Sequence, residues 1–290
     1  MAIKIFSDTG CDLPGEYIDK YDIGLVPYGI SYGDDKYYAD YFEIKPAEFY
    51  KKLRESNAFP KTSQPTFMEY EDKFRPFLEK GDDIICLTLS KKFSGSFQSG
   101  ATAETNLRKE FPDRKITVLD SERATVLYSI LVLQACQMRD DGKSYEEIVD
   151  KIKEIRADLH IYVTVDSLEY LQKGGRVGRA SALAGSLLNV KPIIAFYDGE
   201  LQPQSKVRGK KKAMDEIVKL IAKDAEGKID KYIPITFCCD DTEAALEMRK
   251  KLETEHGFKF PYPTLYIGPV VGAHLGPTGF AAAILRRHDK

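Results

Sequence analysis

The sequence predicts an α/β fold in two domains: an N-terminal α/β domain with a mostly parallel sheet and a C-terminal α/β domain with a mixed or antiparallel sheet covered by helices. Three observations carry this. Short β-branched apolar runs alternate with amphipathic stretches, the pattern of strands covered by helices. Of the 290 residues, 43% are hydrophobic, enough to bury two modest cores. The texture changes after residue 157, where a hairpin signal at Tyr197-Asp198-Gly199 favours antiparallel pairing. Domains are therefore expected over 1–157 and 158–290, with no Pro/Gly/Ser-rich linker between them.

A strand is expected over 2–6 and a helix over 13–21. A second strand covers 23–31, and Gly33-Asp34-Asp35 supplies turn chemistry after it. Pro46 suits the first turn of a helix that reaches Glu55. After a loop at 62–66 come a helix to Leu78, a strand over 83–89, a helix over 95–110 and a strand over 116–119. Helices over 124–139 and 145–156 flank Asp141-Gly142. In the second half, strands over 161–165, 190–196 and 200–206 precede helices over 210–225 and 242–256, which bracket a strand over 232–238. Residues 264–267 lead into a last helix over 279–287.

Lys plus Arg total 43 against 45 Asp plus Glu, so no global field draws nucleic acid or an anionic surface. The longest apolar run, 127–136, is too short to cross a bilayer, and no stable membrane insertion is expected. Lys4 and Asp8 interrupt the stretch that a signal peptide keeps apolar. Five cysteines without a CxxC pair suit the cytoplasm and argue against structural zinc. No metal and no cofactor are expected.

Four segments place Gly, Ser, Thr and His after expected strands or before expected helices, where an open sheet offers a crevice: 7–12, 61–66, 90–96 and 268–279. Free N–H groups and hydroxyls at such positions suit a carboxylate or phosphate. Each has a plainer use. Ser94 or Ser96 caps the following helix, Thr62 and Ser63 close a turn before Pro65, and Asp8 and Asp12 cap helix 13–21. His274, flanked by Gly272 and Gly276, is the least easily given a core role. A fifth segment, 166–179, ends a helix on Gly174-Gly175 with Arg176 and Arg179 beyond it; it is neither a P-loop nor a dinucleotide fingerprint. The basic run 208–212 reads as a solvated helix start or a docking patch.

Six motifs in order resemble the DegV family over nearly the whole chain: Asp8-Thr9-Gly10-Cys11-Asp12-Leu13-Pro14, Thr62 to Thr66, Ser94 to Gly100, Leu168 to Gly178, Leu187 to Ile193 and Gly268 to Gly279. The resemblance implies a bacterial fatty-acid-binding protein, the lipid-carrying subunit of a fatty acid kinase and not itself an enzyme. It implies a long-chain fatty acid whose carboxylate lies at the inter-domain cleft, held by Thr62, Ser63, Ser94 and His274 near the backbone of Gly95. The acyl chain is then expected in an apolar tunnel, with 180–194 and a helix around Phe280 as walls. The partner would be the kinase's catalytic subunit, docked by Arg176, Arg179, Arg208 and Lys210. Gly10 departs from the family's usual Thr or Ser, which removes a hydroxyl there. The rival class is a serine hydrolase using Ser94 or Ser96 with His274 and Asp8 or Asp120, although no GxSxG surrounds either serine.

Overall fold

The computed structural model describes residues 2–33, 36–55, 59–183, 189–197 and 199–290. The chain begins with β1 (Ile3–Asp8), α1 (Gly15–Tyr21), β2 (Gly24–Val26), β3 (Gly29–Ser31), β4 (Tyr38–Ala39), α2 (Pro46–Glu55) and β5 (Lys61–Ser63). It continues through α3 (Phe67–Glu79), β6 (Asp83–Thr88), α4 (Ser96–Glu110), β7 (Ile116–Asp120), α5 (Val126–Asp140) and α6 (Tyr145–Ile155). The second half holds β8 (Leu159–Thr164), α7 (Glu169–Lys173), β9 (Val190–Tyr197), β10 (Glu200–Arg208), α8 (Lys210–Asp224) and β11 (Tyr232–Cys238). It closes with α9 (Thr242–His256), β12 (Leu265–Tyr266), α10 (Pro269–Leu275) and β13 (Phe280–Arg286).

The first domain is built on a parallel sheet of order β2-β1-β6-β7. Helices α3 and α4 cover one face, where Phe6, Tyr70, Phe74, Ile84 and Leu107 are buried together. The other face presents Ile5, Ile85 and Leu87 to α5. That helix is buried on nearly every side, which an all-apolar helix requires. It packs against both β1 and β13 and so lies between the two large sheets.

The second domain is a sheet of order β10-β9-β8-β13-β11-β12, antiparallel except where β11 meets β12. Its outer face packs under α8 and α9 through Phe280, Ile217 and Met248. Its inner face, with Ile161, Val163, Phe196 and Phe237, shares one core with the first domain. A small antiparallel sheet, β4-β3-β5, stands at the edge of the first domain.

Several expectations change. Segment 280–286 is the strand β13, not a helix: its Ala281, Ala283 and Leu285 face the shared core while Phe280, Ala282 and Ile284 face α8 and α9. A strand covered on both faces carries no alternation, and pairing with β8 and β11 overrides alanine's helix preference. The expected strand 23–31 divides into β2 and β3, which join different sheets on either side of Pro27. Part of the loop at 62–66 is the strand β5, and the glycine-rich segment 268–279 contains α10. Asp8 and Asp12 do not cap α1, which begins after Pro14 without a side-chain cap. The residue before α4 is Gly95, so neither Ser94 nor Ser96 is its N-cap. Asp34, Asp35, Leu187, Leu188 and Asp198 lie outside the described residues, although β9 and β10 pair antiparallel as the hairpin signal required.

Candidate functional site

After β1 the chain pairs β2 on one side and later β6 on the other. This is a topological switch point, where an α/β sheet leaves a crevice at the carboxyl ends of its strands. The buried carboxyl group of Asp8, the last residue of β1, organises that end. It accepts hydrogen bonds from Tyr128 Oη at 2.5 Å, Ser96 Oγ at 2.6 Å and the Leu89 amide at 3.0 Å. Burial pushes its pKa up, and these donors oppose the shift. One side chain thus ties α4, α5 and the loop after β6 to the tip of β1.

Above this floor a cavity of about 340 Å³ opens between the domains. Leu89, Phe93 and Leu127 line it from the first domain, Ile161, Val163, Phe196, Leu201 and Phe237 from the second sheet, and Val270 and Leu275 from α10. The expected walls are corrected accordingly: Phe280 faces the opposite side of its sheet, residues 184–188 are not described, and the second-domain lining comes from β8, β9, β10 and β11 together with α7, α10 and the loops beside them.

Polar groups from five separate segments converge in the same cavity: Tyr28, Thr62, Ser63, Gln64, Ser94, Arg176 and His274. Ser94 Oγ accepts from Tyr28 Oη at 2.7 Å and from the Ser96 amide at 3.2 Å. With both lone pairs engaged, its own proton remains for a further acceptor. Thr62 Oγ1 lies 2.9 Å from His274 Nε2, and His274 Nδ1 is buried without a partner among the described residues. Burial, and then the nearby Arg176 charge, lower the His274 pKa to about 4, so the ring is neutral at pH 7. A neutral imidazole carries one N–H. Whichever nitrogen holds it, one donor is left over, either Nδ1–H or the Thr62 hydroxyl. Arg176 donates to the carbonyls of Phe93 at 3.1 Å and Gly174 at 2.6 Å, and it has no carboxylate partner among the described residues. Two spare neutral donors and one uncompensated cation at the end of an apolar cavity suit one carboxylate.

Ser63 lines the cavity as expected. The Gly95 amide donates to Gln64 Oε1 at 2.6 Å. The first-turn segment is also used elsewhere: Thr9 Oγ1 accepts from the Tyr28 amide at 3.0 Å. A Cβ at Gly10 would stand 2.9 Å from Tyr128 Oη, so the absent hydroxyl there belongs to packing and not to the head group. All four docking candidates are exposed; Arg176 also lines the cavity, and Lys210 is paired with Asp241. Among the described residues no carboxylate completes the hydrolase arrangement. His274 Nδ1 meets no carboxylate, Ser96 is bonded to Asp8, and Asp120 Oδ1 accepts from the amides of Lys91 and Glu122.

Three residues of the site were not singled out from the sequence. Tyr28 and Gln64 orient Ser94 and occupy Gly95, and Gln64 lies inside the motif 62–66 that drew attention. Gly174 is the third: a Cβ there would stand 2.2 Å from His274 Nδ1, so the ring rests on the glycine backbone. Its φ of -74° suits any residue, which isolates the steric effect. Gly174→Ala is expected to keep the fold, displace the imidazole, break its bond to Thr62 and weaken carboxylate binding about tenfold, one charge-assisted hydrogen bond; unchanged affinity by calorimetry contradicts this packing.

The fold and cavity define a class: two-domain α/β proteins enclosing an apolar cavity with a polar end. The family model for DegV, described as an uncharacterised protein family, matches residues 2–287. The chain belongs to the DegV family. It is 35% identical over 274 residues to a DegV domain-containing protein of Clostridium acetobutylicum, covering 94% of this chain and 95% of the relative. A stearic-acid-binding protein from Eubacterium ventriosum superposes with a TM-score of 0.94 at 33% identity, covering 100% of this chain and 99% of the other. A fatty-acid-binding DegV family protein from Thermus thermophilus gives 0.89 at 31% identity, covering 99% and 100%. Among the described residues no helix is long and apolar enough to cross a membrane, and no group of His, Cys, Asp or Glu suits a metal ion.

Proposed function

We propose that this protein binds a long-chain fatty acid between its domains, 1–157 and 158–290, and carries it to a separate kinase that phosphorylates the carboxylate to an acyl phosphate. The observation that carries the lipid reading is the pair of spare donors, on Ser94 and on the Thr62–His274 pair, beside Arg176 at the end of an apolar cavity. The fatty-acid-binding proteins that superpose on the chain support the same ligand class. The protein is a carrier without cofactor or metal, acting in the cytoplasm, where its five buried, unbridged cysteines stay reduced. Arg176, Arg179, Arg208 and Lys210, all exposed, are the candidates for docking the kinase.

His274→Ala is expected to leave the fold intact and to weaken stearate binding by about tenfold to a hundredfold, the range of one hydrogen bond to a charged group. Isothermal titration checks the affinity. The carrier step is tested by adding a fatty acid kinase catalytic subunit and ATP to the loaded protein. Acyl phosphate formed only when both proteins are present supports the reading, and turnover of p-nitrophenyl esters lost in Ser94→Ala favours the hydrolase instead.

A further inference from the structure

A second cavity, of about 420 Å³, lies between the turn after β1, α1, the loop joining β4 to α2, and the segment 263–269. It shares no lining residue with the head-group cavity. Its wall is largely apolar, with Leu13, Ile18, Leu25, Ile44 and Leu265. Two carboxyl groups, Asp12 and Asp40, stand in this wall, close enough for the charge of Asp40 to act on Asp12.

Asp40 is 2% exposed and accepts from the Thr9 hydroxyl and the Tyr41 amide. Asp12 is satisfied on one side only. Its Oδ2 accepts from Thr125 Oγ1 at 2.5 Å, while Oδ1 is buried without a partner among the described residues. The Gly268 amide is near enough to draw the Asp12 pKa down but offers Oδ1 no aligned hydrogen bond. Neither carboxyl group has an ion pair among the described residues. Lys45, at the exposed rim, donates to the Tyr41 carbonyl at 2.7 Å and lies 4.3 Å from the centre of the Tyr41 ring. Burial therefore dominates: it pushes the Asp12 carboxyl well above its usual range and lifts that of Asp40 to about 7. Buried carboxylates are costly without a cation beside them, and two ionised carboxylates against one rim lysine leave the cavity one positive charge short.

We propose that this cavity binds a small primary amine, whose ammonium donates to Asp12 Oδ1 beside Asp40 while a short aliphatic stem lies against Ile18, Leu25, Ile44 and Leu265. A compact ammonium brings three donors to the open oxygen, which a quaternary ammonium lacks. Calcium or magnesium would need more oxygen ligands, and among the described residues no group of His, Cys, Asp or Glu suits a metal ion. The apolar wall suits an organic cation instead. This site stands independently of the fatty-acid reading.

The test titrates the full-length protein with hexylammonium and with hexanol, which has the same stem and no charge. The titration is run at about pH 8, above the value of about 7 for Asp40 and below the range of about 10 typical of an alkylamine. Wild type is expected to bind hexylammonium at least about tenfold more tightly than hexanol, the worth of a charge-assisted hydrogen bond. Asp12→Asn, at a φ of 55° that asparagine tolerates, is expected to lose about tenfold for hexylammonium and less than about twofold for hexanol. In wild type with labelled isoleucine methyls, nuclear Overhauser contacts from hexylammonium are expected at Ile18 and Ile44. Equal affinity of wild type for the two ligands overturns the site, as does Asp12→Asn that weakens both alike or neither. Contacts at Ile161 of the head-group cavity in place of Ile18 and Ile44 also overturn it, and the two wild-type measurements decide the matter if Asp12→Asn does not fold.

Discussion

Asp8→Ala is expected to destabilise the protein by about 3–5 kcal/mol, because it strands buried donors at about 1–3 kcal/mol each and opens a void. Tyr128 Oη and the Leu89 amide lose their acceptor. Ser96 keeps a partner in Tyr70, 2.6 Å away, so it contributes less. Asp8→Asn retains one acceptor oxygen but turns an NH₂ toward a donor, and it is expected to fall between wild type and Asp8→Ala. Denaturant unfolding followed by circular dichroism measures both. The loss should reach the ligand as well, since the turn that carries Ser94 and Ser96 is anchored through Asp8. A loss under about 1 kcal/mol for Asp8→Ala would mean that the four elements meeting there are held by apolar packing alone.

Much of this arrangement is legible in the sequence, for identifiable reasons. Strands β1, β6 and β7 and helices α3 to α6 fall where the alternation of apolar and amphipathic stretches puts them, and capping boxes at Thr66 and Ser144 mark the starts of α3 and α6. Thr62, Ser63, Ser94 and His274 stand in short polar runs at element ends, and the fold brings all four to one cavity. Strand β13 is not legible locally, because the run Ala281-Ala282-Ala283 has the preference of a helix and only its two neighbours make it a strand. The tunnel walls were not legible for a related reason: they are alternate residues of β8, β9, β10 and β11, and which face of that sheet meets the first domain depends on where α5 packs. Tyr28 falls inside the strand expected over 23–31, and its hydroxyl becomes informative only beside Ser94. Arg176 looked like surface charge because its loop follows a glycine-terminated helix. Arg176 is exposed, and its bonds to the carbonyls of Phe93 and Gly174 hold it at the mouth of the cavity it lines.

Val163→Phe is expected to cost at least about a hundredfold in stearate affinity while leaving stability within about 1 kcal/mol of wild type. Val163 is a cavity-lining residue of β8, buried between partners Ala281 and Ile194. A ring projecting from it displaces the acyl chain. If four methylenes lose their place, the loss is about 3 kcal/mol at 0.8 kcal/mol each, or somewhat over a hundredfold. The cavity accepts the added volume, so the strain of an overpacked core does not arise. The same variant should bind octanoate with a much smaller loss than stearate, because a short chain occupies less of the cavity. Equal losses for the two acids contradict a cavity filled along its length by the acyl chain, and an unchanged stearate affinity places the chain elsewhere.

The most direct test of the central claim is native mass spectrometry of the purified protein, with organic extraction and identification of the bound molecule. The account predicts one long-chain fatty acid per chain, lost from Val163→Phe and reduced in His274→Ala. A protein that emerges empty and stays empty after incubation with fatty acids of any length contradicts it.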